Sequence, residues 1–321
     1  MTDAIDFSEF TKVLEHEYLD DFVLGGGAAV KFLVPDEATP TEQLGRALAR
    51  IAASHGYVVA SVDAAQTRIH MIDKLFHAIA EQVPWSDLAE ERVRRFATQA
   101  FEIPERFGPD ALATQIADHG GVDAAYVRTM LEKSIADEVF KDRELAREFR
   151  IAMTWACRAR LSGGEDGDTT LADITAWLTG TMTTISNMKQ YQIHTKINRT
   201  NARHYLESML TWVRRAGRPG TAIIIDAGRL TVPRQPEGIN YTKASRMDAY
   251  EVFRQYIDTT DDMSGAMIIV VANHAFLDTE AGSIGFGCYP ALMNRVYDEV
   301  RDRNLPNPMA SLVRINAGGQ L

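Results

Sequence analysis

Two uninterrupted apolar runs constrain this chain more than anything else in it: Thr221-Ala-Ile-Ile-Ile-Asp226, and Ala-Met-Ile-Ile-Val-Val-Ala over residues 266–272. Neither alternates apolar with polar positions, so each reads as a strand buried on both faces, the mark of a parallel sheet covered by helices. Both fall far short of the roughly 18 apolar residues that a membrane span needs. Three further segments read as strands: 24–34, where glycines feed a run closed by Pro35, then 57–62 and 311–315. Between the first two of these, Leu44, Ala47, Leu48, Ile51 and Ala52 recur at helical spacing, which gives a helix over 41–55 ended by Gly56. Other helices are expected around 7–19, 248–257 and 292–301. Strands joined by helical crossovers make an α/β, three-layer domain.

From about 69 to 213 the pattern is helical almost throughout, broken at Pro84, at 104–109 and at the polar stretch 162–169, which reads as a flexible surface connection. The expected organisation is a first part of the α/β core at 1–68, a helical insertion at 69–216 and the second part of the core at 217–321. Apolar residues at 45% and charged residues at 24% exclude collagen-like and disordered classes. Cys157 and Cys288 form no C-x-x-C pair, and residues 1–20 lack a basic n-region with an apolar h-region. A reducing, cytoplasmic location is therefore expected. With 34 basic against 44 acidic residues the net charge is −10, so a nucleic-acid backbone would be met only by a local patch.

A strand, a loop, a helix and a later apolar strand ending in Asp is the architecture of a P-loop NTPase of the AAA+ type. Its phosphate loop, G-x-x-x-x-G-K-[ST], brings backbone N–H groups, a Lys and a magnesium-holding hydroxyl to the nucleotide. The register here is Val34-Pro35-Asp36-Glu37-Ala38-Thr39-Pro40-Thr41. Both glycines are gone, Pro40 stands at the Lys position and only Thr41 matches. Asp36 and Glu37 place negative charge where a polyphosphate would sit. Thr39 as N-cap, Pro40 at the first helical position and Glu42 completing a capping box would close the helix on itself. The strand ending in Asp226 has the form of a Walker B strand, but Ala227 follows it where ATPases keep a Glu that polarises water. Asn273 stands where AAA+ ATPases keep a polar sensor, and Arg295 is similar in placing to a subunit-interface arginine.

Residues 198–217 running into 222–226, residues 241–258 with Tyr250-Glu-Val-Phe-Arg-Gln-Tyr-Ile-Asp258, and residues 285–295 with Tyr289-Pro-Ala-Leu-Met-Asn-Arg295 resemble the ATP-binding subunits of bacteriophage-exclusion (BREX) systems. The resemblance covers most of the chain. It implies an intact P-loop, an Asp-Glu Walker B pair and a C-terminal helical lid with nucleic-acid-binding parts. This chain departs on each: the loop and the Glu are replaced, and the sequence reaches Leu321 just past its fifth expected strand, where the lid would begin. The resemblance and these departures together imply a pseudo-ATPase without cofactor, a structural or regulatory subunit of an anti-phage complex. It would act in a homo- or hetero-oligomer beside an active homologous ATPase, away from membranes. A divergent ATPase using ATP and magnesium with borrowed residues, such as Lys31 or a neighbour's arginine, is the first alternative.

A DNA-binding adaptor is the second. Lys189, Lys196, Arg199, Arg203, Arg214, Arg215 and Arg218 stand against a single acid, Glu207, in that stretch, with Tyr191, Tyr205 and Trp212 interleaved, a patch for DNA phosphates or for an acidic partner subunit. The same residues also read as the solvated side of a helix whose apolar face holds Tyr205, Leu206, Met209 and Val213, with the aromatics in the core. No metal site is expected, since His194 and His204 have no cysteine or carboxylate pair nearby.

Overall fold

Six strands form one all-parallel sheet in the computed structural model, which describes residues 4–103, 112–280, 282–297 and 307–318. They are β1 (Ile5–Asp6), β2 (Ala28–Pro35), β3 (Val58–Asp63), β4 (Thr221–Asp226), β5 (Ala266–Val271) and β6 (Leu312–Asn316), in the order β1-β6-β2-β5-β4-β3. The five expected strands are all present. Strand β1 was not legible in the sequence, because its two residues, paired with Ile315 and Asn316, are too few to show a period.

The chain divides into two compact units, Met1–Val83 with Pro219–Leu321, and Pro84–Arg218. The first holds the sheet and the helices α1 (Phe7–Val13), α2 (Thr41–Ser54), α3 (Ile72–Ala80), α10 (Lys243–Asp258) and α11 (Pro290–Tyr297). Residues 69–83, which the helical pattern joins to the insertion, lie in this unit, with α3 against β3. Beyond α1 the chain continues as π-helical turns, Leu14–Phe22.

Every residue of β5 is buried, so both faces of the sheet are covered. Alternation sends Leu33, Ile224, Met267, Ile269 and Val271 to one face, where they cluster with Leu44, Ala47, Leu48 and Ala52 of α2. On the other face Phe32 stacks on Phe276 with centroids 5.7 Å apart and meets Phe253 of α10 edge-on at 6.0 Å. The chain leaving β2 crosses by way of α2 to the far edge at β3, whereas the chain leaving β5 crosses β2 to reach β6. A topological switch point therefore lies between the carboxyl ends of β2 and β5, where open parallel sheets bind ligands. The outer edge at β3 is closed by Gln82, whose Oε1 accepts from the Ser61 N–H and whose Nε2 donates to the Ser61 carbonyl, both at 2.9 Å.

The second unit contains α4 (Trp85–Ala100), α5 (Leu112–Gly120), α6 (Ala124–Ile135), α7 (Arg147–Ser162), α8 (Gly164–Leu178) and α9 (Ala202–Ala216). Its core joins Trp85, Phe149, Tyr205 and Trp177 through ring contacts of 5.3 to 6.4 Å. The buried Glu148 carboxylate accepts from the His194 N–H at 2.9 Å, the Tyr205 hydroxyl at 3.2 Å and the Thr195 hydroxyl. The stretch 162–169 is not a flexible connection. Gly163 turns the chain at φ +62° directly into α8, whose first turn carries Glu165 and Asp166, favoured at a helix N-terminus. Gly167 lies so close to the Ala159 carbonyl that a Cβ would stand 2.6 Å from its oxygen. The expected interruption at 104–109 and the end of the helix near 292–301 fall outside the described residues. Among the described residues no helix is long and apolar enough to cross a membrane. Both cysteines are free, and burial pushes the Cys157 thiol up to about 12.

His55, at the end of α2, lies between Asp20 (Nδ1 to Oδ1, 2.7 Å) and Glu15 (Nε2 to Oε1, 3.4 Å) on the π-helical turns. Desolvation lowers its pKa, but the hydrogen bonds and charges of Asp20 and Glu15 outweigh it, so the net shift is upward. A raised folded-state pKa stabilises fully below the unfolded value of about 6.5 and fades as pH rises through the folded one. Thermal unfolding should therefore show His55→Gln less stable than wild type at pH 6, with the gap narrowing toward pH 8.

Candidate functional site

At the carboxyl end of β2 the chain makes a short loop whose shape is set by Asp36. Its Oδ1 accepts from the Ala38 N–H at 3.0 Å and the Thr39 hydroxyl at 3.1 Å, and its Oδ2 from the Ala317 N–H at 2.8 Å, just past β6. The Ala317 bond is the main reason the Asp36 carboxyl lies below its usual range, so it remains ionised. The expected capping box does not form. Pro40 occupies the N-cap, with φ −60° and ψ 137°, and α2 starts at Thr41 without a side-chain cap. Asp36 has taken the Thr39 hydroxyl, and Glu42 is exposed, 3.6 Å from Arg46. Val34 is fully buried in β2.

The Thr41 hydroxyl donates instead to Asp226 Oδ2 at 3.0 Å, and the Gly228 N–H donates to Oδ1 at 2.9 Å. Burial raises the Asp226 pKa, the charges of Asp63 and Glu42 add to it, and the two hydrogen bonds offset part of the shift. Asp63 is its register partner on β3. Ala227 is buried, its N–H donating to the Val271 carbonyl at 2.8 Å. Asn273 ties the next loops together: its Nδ2 donates to the Gly228 carbonyl at 3.1 Å, and its Oδ1 accepts from the Thr231 hydroxyl at 2.5 Å and the Ala275 N–H at 3.1 Å. A cleft of about 330 Å³ opens here, lined by residues 35–37, 39–41 and 273–275. The structure thus brings Asp36, Glu37, Thr39, Pro40, Thr41 and Asn273 to one cleft at the switch point, with Asp226 bonded to its edge through Thr41.

His274 also lines the cleft, and its Nε2 is buried with no hydrogen-bond partner among the described residues. A lone His after a strand gave no signal in the sequence. The cleft lining includes no Lys or Arg. Lys31 is no substitute: buried in mid-β2, its Nζ donates to the carbonyls of Pro308, Met309 and Ala310 at 3.2, 2.7 and 2.8 Å, in the segment that enters β6 at the opposite end of the sheet. The side chains of the cleft therefore offer a polyphosphate no cation. Asp226 and Thr41 are the oxygen groups that would face a magnesium ion.

Arg295 is held within its own unit. Its Nε meets Asp258 Oδ1 at 2.7 Å, Asp258 also pairs with Arg254, and Arg254 grips Glu251 with two bonds of 2.7 Å. The Tyr289 hydroxyl donates to Glu251 at 2.6 Å, and the Arg254 hydrogen bonds hold the Glu251 carboxyl down at about 2. The segments 250–258 and 289–295 therefore meet in one ion network that fastens α11 to α10.

The basic stretch is less positive than its own residues imply. Arg215 pairs with Glu144 at 2.6 Å and Asp142 at 3.4 Å, Arg218 with Glu91 at 2.5 Å, and Lys196 Nζ donates to the Thr183 carbonyl at 3.1 Å. The neutralising acids come from distant sequence. Arg199, Arg203 and Arg214 also have contacts within the chain, and Lys189 is exposed. Tyr191, Tyr205 and Trp212 are buried, as expected of core residues. Among the described residues no three His, Cys, Asp or Glu side chains group as a metal site.

The family model described as BREX system ATP-binding protein BrxC/D matches residues 4–317. No curated protein and no solved structure matches the chain.

A carboxyl whose folded pKa is raised costs stability above its unfolded value of about 3.9 and costs nothing below it. Asp226→Asn, which removes the charge, keeps an oxygen for the Gly228 N–H and turns an amide donor toward the Thr41 hydroxyl oxygen, should be more stable than wild type in denaturant unfolding at pH 7. The difference should vanish near pH 4.

Proposed function

The chain belongs to the BREX system ATP-binding protein BrxC/D family, and on that premise we propose that it is a catalytically inactive member serving as a structural or regulatory subunit. Membership implies a role in a bacterial anti-phage system. It implies work with other proteins of that system, among which we place an active homologous ATPase, in the cytoplasm.

The observation that carries this reading is the loop at the switch point. The site that would take the phosphates holds an ionised Asp36 and an exposed Glu37, with Pro40 where a cation would be needed. One such charge about 4 Å from a phosphate oxygen repels it by about 4 kcal/mol at the effective dielectric of a protein surface. Ala227 offers no base for an attacking water. One feature favours the reading of an ATPase completed by a partner: the Thr41–Asp226 pair is present even though burial of Asp226 costs stability. The DNA-adaptor reading is weakened by the carboxylates on Arg215 and Arg218.

Calorimetry on the purified chain with ATP and magnesium distinguishes these. No heat should appear at millimolar nucleotide, and no hydrolysis above buffer should be measured. Binding or turnover that Asp226→Ala removes would overturn the inactive reading.

A further inference from the structure

The loop after β4 is exposed yet firmly held. Residues 233–238 face solvent, whereas side chains at the base of the loop fix its backbone. Asn240 accepts from the Gln235 N–H and donates to the Gln235 carbonyl, both at 2.9 Å. Arg229 donates to the carbonyls of Glu237 and Ile239 at 2.6 and 2.7 Å and to Asn240 Oδ1 at 3.1 Å. The Ile239 N–H reaches the Ala65 carbonyl at 2.8 Å, and Gly238, at φ +75°, passes so close that a Cβ would stand 2.9 Å from that oxygen. Ordering a loop costs conformational entropy, and these bonds offset that cost without burying an apolar core. A polar loop fixed in this way is preorganised for contact with another molecule.

The exposed loop carries two charged side chains, Arg234 and Glu237, and Arg234 has no carboxylate partner among the described residues. A guanidinium is best matched by carboxylates beside further acceptors in a concave site. The same chain carries one, the cleft with Asp36, Glu37, Thr39 and Asn273, and Arg234 does not line it. Both features sit at the carboxyl end of the sheet, the cleft between β2 and β5 and the loop resting beside the end of β3. At the spacing of parallel strands they are on the order of 10 Å apart. Two copies facing each other by this end can therefore exchange loops, and a two-fold axis forms both contacts at once.

We infer that the cleft receives Arg234 from a second copy of this chain, in a two-fold dimer closed by reciprocal contacts of Arg234 with Glu37, beside the charge of Asp36, whose oxygens already accept from Ala38, Thr39 and Ala317. This rests on the reading that the cleft takes no nucleotide. Each copy carries a net charge of −10, so the attraction is local and weakens as salt rises.

Sedimentation of the full chain tests it. Wild type should be dimeric at low salt, and Arg234→Glu and Glu37→Arg should each be monomeric yet keep the far-UV circular dichroism of the wild type, because both side chains are exposed. An equimolar mixture of the two variants should dimerise again, because each mixed pair restores opposite charge at both contacts. A monomeric wild type, a dimer indifferent to both reversals, or a mixture that stays monomeric would overturn the inference. Nucleotide calorimetry is a separate arm. A monomer that takes up no ATP removes this dimer and leaves the inactive reading standing, whereas ATP binding removes the reading beneath it.

Discussion

Burial of β4 and β5 on both faces is the constraint on which the rest of the structure depends. A strand without a polar face needs helices above and below it, and parallel neighbours joined by right-handed crossovers supply them. Once α2 covers one face and α10 the other, the crossovers run in opposite directions from β2 and β5. The crevice at their carboxyl ends is a consequence of that layering, present whatever the loops contain. The chemistry is then decided by a handful of loop residues.

Those residues divide into a hydrogen-bonded scaffold and a loop that carries two acids. Thr41, Asp226 and Asn273 link the ends of α2, β4 and β5 by hydrogen bonds of 2.5 to 3.1 Å. Between them Asp36 turns the loop inward on itself and onto Ala317, committing the carboxylate to backbone N–H groups of the protein. The Asp36 carboxylate thus brings a negative charge to the cleft and spends its hydrogen bonds on the loop and on Ala317. A fold can keep its crevice after the crevice has changed guest.

The sheet, its helices and the grouping of the site residues were legible because each rests on local pattern: apolar runs, helical spacing and an Asp at a strand end. The sequence misleads where two groups compete for one hydroxyl or one charge. Thr39 satisfies every sequence rule for an N-cap, yet Asp36 three residues earlier takes its hydroxyl. The excess positive charge of 189–218 leaves out Glu91, Asp142 and Glu144, which only the folded chain brings to Arg215 and Arg218. Glycines 163, 164 and 167 read as a loop, because the close approach of α8 to α7 that Gly167 permits is a tertiary fact. The segments 250–258 and 289–295, which carried the family likeness, meet in the ion network of Glu251, Arg254, Asp258 and Arg295, a pairing that the sequence did not announce.

The central claim is that the scaffold of a phosphate site survives and that the loop alone shuts the nucleotide out. The most direct measurement restores the loop in place, with Val34→Gly, Asp36→Ala, Glu37→Ala, Thr39→Gly and Pro40→Lys, leaving Thr41 and Asp226 untouched. Titration of this variant with ATP should show magnesium-dependent binding, lost again on Asp226→Ala. A variant that folds as wild type does and still takes up no nucleotide would contradict the account.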